Sequence, residues 1–202
     1  MKYVLVLCDG MADYPVKSLN GKTPLEAAKT PNMDALAQTA QIGLVKTVPD
    51  GFKPGSDVAN LGVLGFDART CYTGRSPLEA LSIGIDLKAD DLAMRANLVT
   101  LSDNEPFEDK IMLDYSSGEI DADEARELMD CVKDNFNCDK FRFYTGTSYR
   151  NCLVVSRAKP EEDLTPPHDI SGLRIGEYLP KGTLGKDLTS FVVNSYEILK
   201  DH

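Results

Sequence analysis

An α/β fold in two parts is predicted by three features of the chain. Lys2 to Cys8 (KYVLVLC) is a continuous β-rich apolar run, the pattern of a strand buried on both faces of a parallel sheet. From there to about residue 85 strand-like and helical segments alternate, the order of the first half of a doubly wound domain. Beyond about residue 86 the order becomes β-β-α-β-β, which suits a smaller α+β unit built on an antiparallel sheet.

In the first part, Asp9-Gly10 follows the opening run directly. Working groups in open α/β sheets cluster at the carboxyl ends of strands, so Asp9 suits a metal or a phosphate; Asp-Gly is also a common turn pair, and both readings stand. Asn20-Gly21 marks a tight turn. Thr23-Pro24 and Thr30-Pro31 repeat one helix-opening device, a capping hydroxyl before a proline at the first helical position. The second opens a periodic helix from Pro31 that ends near Gly43, and Leu44 to Val48 is predicted to return as a second strand. Pro49 to Gly55 is a Gly- and Pro-rich loop carrying Lys53, and it leads into Pro54-Gly55-Ser56-Asp57-Val58-Ala59-Asn60-Leu61.

Ser56 is the organising residue of that stretch. A serine opening a helix sits at the positive end of the helix dipole, among backbone N–H groups that welcome a phosphate oxygen. It is a candidate nucleophile, and equally a favoured capping residue. Ser76-Pro77 is predicted to cap a further helix, Leu78 to Ile83, ending at Gly84.

In the second part, Arg95 to Leu101, Lys110 to Asp114, Phe141 to Tyr144 and Cys152 to Ser156 are predicted strands, with an amphipathic helix from Asp121 to Asn135 whose acidic side is a solvated face. Leu164 to Asp169 (LTPPHD) is a stiff polar loop, and Leu188 to Leu199 has helical spacing.

The 42% apolar and 27% charged content of the 202 residues fits one or two domains with a real core. A net charge of -10 argues against the basic face that nucleic acid or an anionic membrane requires, so an anionic substrate would need local help from metals or a few placed Arg and Lys. Five scattered cysteines without C-x-x-C spacing indicate neither a disulfide framework nor a zinc knuckle, and reduced thiols in a cytoplasm are the simplest account. The apolar run before Asp9 is too short for a signal peptide or a membrane span, so no export is implied.

Several long blocks, VLVLCDGMADYP, TPLEAAKTPNMDALA, PGSDVANLGVLGFD, YTGRSPLEALSIGI and TPPHDISGLRIGEYLP, together resemble the archaeal-type, cofactor-independent phosphoglycerate mutases of the alkaline phosphatase superfamily. The resemblance runs over essentially the whole chain. It implies a partial alkaline-phosphatase-like doubly wound core at 1–85, an inserted α+β substrate domain at 86–185, and a helix at 186–202 returning to the core. It implies interconversion of 3-phosphoglycerate and 2-phosphoglycerate through a phosphoserine at Ser56, beside two divalent metal ions (Mn²⁺, Mg²⁺ or Zn²⁺) and without 2,3-bisphosphoglycerate. Asp9 and Ser56 are the implied metal donors. The family's other ligands are Asp and His residues near the C-terminal end of a considerably longer chain, whereas the two histidines here are His168 and the final residue, His202. These 202 residues alone are therefore expected to be inactive.

A glycerate carboxylate matches the guanidinium fork, which makes Arg75, Arg95 and Arg150 the candidates for substrate binding, with His168 beside them. Each arginine equally suits a surface or domain-interface ion pair, and His168 a loop hydrogen bond. The expected partner is a small phosphorylated hydroxy acid, with no nucleic acid and no membrane. An unfinished apolar sheet edge would favour pairing with another copy, so a homo-oligomer stays open. Two other functions stay open as well: another phosphohydrolase or phosphotransferase of the superfamily, and a non-catalytic half that binds a phosphoacid or a partner.

Overall fold

Helix-opening residues set the short helices of the first part. The chain is described by a computed structural model over residues 1–8, 10–159 and 163–202, so Asp9 lies outside the described residues. The Asn20-Gly21 turn closes a bridge between Val16 and Lys22. Helix α1 (Pro24–Ala27) carries a complete capping box: Thr23 Oγ1 accepts from the Glu26 amide at 3.2 Å, and Glu26 Oε2 accepts from the Thr23 amide at 2.7 Å. Helix α2 (Pro31–Ala37) starts at its proline too, but the Thr30 hydroxyl donates to Asp34 Oδ1 at 3.0 Å instead of capping the backbone. Helices α3 (Ser56–Val63), α4 (Ala68–Cys71) and α5 (Arg75–Ser82) follow. Gly62 of α3 faces the Thr47 carbonyl so closely that a Cβ would lie 2.4 Å from its oxygen, which is why a glycine interrupts this helix.

Two of the predicted elements are corrected. Neither Lys2 to Cys8 nor Leu44 to Val48 is a strand, and Tyr3, Val4, Val6, Leu44 and Val45 are exposed. A strand of a parallel sheet needs hydrogen-bonded neighbours and covered faces, and the described residues offer these runs neither. Helix α5 begins at Arg75, with Gly74 at its cap, so Ser76-Pro77 lies inside the first turn. Proline is tolerated there because first-turn amides lack intrahelical acceptors.

The second part forms its sheet from local pairings. Strands β1 (Leu92–Asn97), β4 (Phe141–Thr147) and β5 (Arg150–Val155) make an antiparallel sheet in the order β1-β5-β4, while β2 (Thr100–Leu101) and β3 (Met112–Asp114) pair separately. The run predicted as one strand from Arg95 to Leu101 is thus divided between two sheets. A two-residue loop, Ser148-Tyr149, joins β4 to β5. Beside it Gly146 passes so near the Arg150 carbonyl that a Cβ would lie 2.0 Å from the oxygen, so only glycine fits this irregular pairing.

Helix α6 (Ala122–Phe136) is capped by Asp121, whose Oδ1 accepts from the Asp123 amide at 2.8 Å, and it buries Ala125, Met129 and Val132. That stripe meets Phe141, Phe143, Leu153 and Val155 on one face of the sheet. Full burial of each large apolar side chain contributes roughly 1.5–3 kcal/mol. Helix α7 (Gly185–Leu199) closes the same core through Leu188 and Phe191, and the Phe191 ring lies edge-on to Phe136, Phe141 and Phe143 at 5.5, 4.9 and 5.6 Å. The segment expected to return to the first part therefore lies against the sheet of the second. Among the described residues no helix is long and apolar enough to cross a membrane.

The opposite sheet face positions the site. Strand alternation sends Met94 and Leu98 towards α6 and α7, and Ala93, Arg95 and Asn97 the other way. There Ala80 of α5, with Ile85, packs on Ala93, Cys152 and Val154, seating α5 across the sheet.

Candidate active site

Gly55, in extended backbone, is the cap of α3, and Ser56 is the first helical residue, exposed to solvent. That placement removes the simple N-cap reading of Ser56. The following residue, Asp57, is mostly buried and accepts a short hydrogen bond from the Tyr72 hydroxyl, while Arg75 Nε lies 3.6 Å from its Oδ2. Burial raises the Asp57 pKa, but the Tyr72 hydroxyl, the Val58 amide and the Arg75 charge outweigh it and hold the carboxyl below its usual range. Burial, then the hydrogen bond to Asp57, pushes the Tyr72 phenol up to about 12. Asp57 thus anchors the Ser56 helix to the start of α5.

From Arg75 the site continues between α5 and the polar half of the sheet. A cavity of about 410 Å³ is lined by Arg75, Ser76, Glu79, Arg95, Asn97 and His168 among others. A second, of about 180 Å³, shares Ser76, Glu79 and Arg95 and adds Arg150, Asn151 and Cys152. Register explains the grouping: Arg95 faces Cys152 and Asn97 faces Arg150 across β1 and β5. Arg95 Nη2 is 3.1 Å from Glu79 Oε1, so Arg95 takes the interface ion pair that was one of its two readings and lines both cavities as well. Arg150 Nη2 donates to Tyr149 Oη at 3.0 Å. His168 stands edge-on to Tyr115 at 6.0 Å, its Nε2 3.4 Å from Asp169 Oδ1. Burial first, and the Glu79 charge second, push the Cys152 thiol up to about 11, so it stays protonated near neutrality.

Arg75, Arg95, Arg150 and His168, scattered through the sequence, thus gather at two adjoining cavities. Such a basic concavity in an acidic chain is suited to a small anion with a carboxylate. Asp57, Tyr72, Glu79 and Asn97 were missed. Asn97 was within reach of strand periodicity, two residues from Arg95; the others become visible only when α3, α4 and α5 are packed.

Asp9 lies outside the described residues, and among the described residues no group of three or more His, Cys, Asp or Glu side chains is gathered to hold a metal. Ser56 and Asp9 alone do not make a closed site.

Residues 37–202 match the family model described as 2,3-bisphosphoglycerate-independent phosphoglycerate mutase. The chain belongs to this family. Among curated relatives named for that activity or its probable occurrence, the Geobacter sulfurreducens protein is 48% identical over 202 residues, covering 100% of this chain and 50% of the relative. The Methanosarcina mazei protein is 46% identical over 203 residues, with the same coverage. The chain spans about half the length of these mutases. Among solved structures, a cofactor-independent phosphoglycerate mutase from Thermoplasma acidophilum superposes with a TM-score of 0.53 at 28% identity, over 96% of this chain and 51% of that one. A protein from Pyrococcus horikoshii superposes with a TM-score of 0.68 at 29% identity, over 96% and 43%.

Proposed function

We propose that a protein carrying this chain at its relatives' full length interconverts 3-phosphoglycerate and 2-phosphoglycerate. In this reading the Ser56 oxygen bonds to phosphorus as the bond to one substrate oxygen breaks, and the phosphoryl group then returns to the other hydroxyl. The gathering of three arginines and a histidine beside the Asp57–Arg75 link carries the reading. The guanidinium groups bind and orient the carboxylate and phosphoryl oxygens. The amides at the start of α3 face the charge that develops next to Ser56.

Asp9 and Ser56 are offered as donors to a site for two divalent ions, which when bound lower the pKa of an attached hydroxyl and neutralise phosphoryl charge. No 2,3-bisphosphoglycerate takes part. The same reading assigns 1–85 to an alkaline-phosphatase-like core and 86–185 to an inserted substrate domain, and a cytoplasmic place fits a glycolytic reaction. One observation favours a narrower role for these 202 residues by themselves: the arginine-lined cavities are formed within the chain, whereas among the described residues no three His, Cys, Asp or Glu side chains are gathered for a metal. The chain alone then binds a phosphorylated hydroxy acid without turning it over.

Ser56→Ala in the protein at full relative length tests the mechanism. The expected result is a loss of mutase rate of roughly a thousandfold or more, together with loss of the phosphoserine intermediate detected by mass spectrometry. A mutase rate that survives this substitution removes Ser56 as nucleophile.

A further inference from the structure

Arg95 is placed to hold a carboxylate but uses its guanidinium incompletely. Nη2 meets Glu79 Oε1 at 3.1 Å, while Nε is buried and has no hydrogen-bond partner among the described residues. A guanidinium edge bonded through one nitrogen leaves the second donor of the fork unsatisfied, at an energetic penalty that a bidentate carboxylate relieves. Asn97, next on the same strand face, has its buried Oδ1 likewise without a partner among the described residues, and an amide oxygen accepts from a hydroxyl. Both residues line the 410 Å³ cavity. Glu79 sits on α5 with its side chain 35% exposed, more open to water than Arg95 at 26%.

We infer that Glu79 is an internal stand-in for the substrate's carboxylate, and that binding exchanges the Glu79–Arg95 ion pair for a bidentate substrate–Arg95 pair, with Asn97 accepting from the adjacent substrate hydroxyl. The inference rests on the proposed carboxylate-binding role of this cavity and names the residue that competes for it. The ligand class follows from the donors: a short 2-hydroxy or 3-hydroxy carboxylate, with its phosphoryl group towards Arg75 and Ser56. The exchange also cuts the ion pair that ties α5 to β1, so occupancy of the cavity is communicated to the helix that Arg75 and Asp57 link to the nucleophile.

Calorimetric titration of the chain with glycerate, and separately with inorganic phosphate, tests this in Glu79→Gln and Arg95→Gln variants. Glu79→Gln is expected to tighten glycerate by roughly twofold to fivefold, the scale of one partly exposed ion pair, and to leave phosphate unchanged. Arg95→Gln is expected to abolish glycerate binding. Glycerate affinity that stays the same or weakens in Glu79→Gln, while Arg95→Gln loses it, overturns the stand-in and leaves the carboxylate site intact. Equal tightening for phosphate assigns the gain to lost charge repulsion and likewise overturns it. If Arg95→Gln binds glycerate as the parent does, the carboxylate site itself fails. Arginine-labelled NMR gives a readout independent of any variant: the Arg95 Nε–H resonance is expected to move on glycerate addition, and an unmoved resonance in saturated protein contradicts the exchange.

Discussion

The two parts of the chain treat the same kind of apolar run in opposite ways. Val4, Val6 and Leu44, in β-rich runs of the first part, face solvent, whereas Leu153, Val154 and Val155, in a β-rich run of the second, are buried. The difference lies in connectivity. Strand β5 pairs with β4 across a two-residue loop and with β1 by a longer antiparallel return, so its partners are contained in the same 60-odd residues of chain. A parallel strand must wait for a crossover and for neighbours on both sides, and the described residues supply none to 2–8. Short helices are affected less, since capping and proline act within one turn.

The largest expected effect separates the regions most sharply. Phe143→Ala removes a ring packed on Phe136 and Phe191 and should cost about 3–5 kcal/mol in urea denaturation. Leu44→Ala in the same chain should stay within about 0.5 kcal/mol, because its side chain is exposed already. Equal losses at the two positions would break the comparison.

A middle-sized effect concerns a polar network of the first part, Asp57 with Tyr72 and Arg75. The Asp57 carboxyl is lowered in the folded chain, so its contribution is present above the ordinary aspartate range of about 4 and is lost as the pH falls through the lowered value. The Tyr72 phenol is raised from 10.0 to about 12, so the hydrogen bond is fully present below 10 and is lost as the pH rises towards 12. Phenolate absorbance should show one tyrosine ionising late, and Asp57→Asn should advance it and cost about 1–2 kcal/mol. A tyrosine ionising just as late in Asp57→Asn as in the parent would deny the link between α3 and α4, since burial alone accounts for only part of the shift.

The smallest effect is local. Thr23→Ala removes half of the capping box and should destabilise α1 by about 1 kcal/mol, read as faster amide exchange at Glu26 and Ala27. Exchange in β4 and β5 should not change. A global loss of protection would mean that α1 is coupled to the sheet after all.

Legibility followed the same division. The helix and most strands from residue 92 to 155 fell within a few residues of their predicted bounds, because antiparallel alternation and an amphipathic stripe are written in short windows, but the single strand predicted from Arg95 to Leu101 divides into β1 and β2 of separate sheets. The runs at 2–8 and 44–48 carry strand composition without strand partners, and composition alone could not reveal that. At the site, Ser56 and the glycine before it were legible as a helix opening, and Arg75, Arg95, Arg150 and His168 as candidates whose gathering at two adjoining cavities no local pattern announced. Glu79 was not legible, since a helical glutamate is an ordinary surface residue until β1 is packed against it.

Residue type, capping chemistry and strand periodicity, all acting over a few bonds, determined from the sequence alone roughly where most helices open and most antiparallel strands run, and which side chains are candidates to meet an anion. The tertiary structure alone decided that α7 lies on the second sheet, that Asp57 joins Ser56 to α5, and that Glu79 stands against Arg95. Those outcomes depend on contacts between segments far apart in the chain, and such contacts are selected by shape and burial when the elements pack, with no local pattern to announce them.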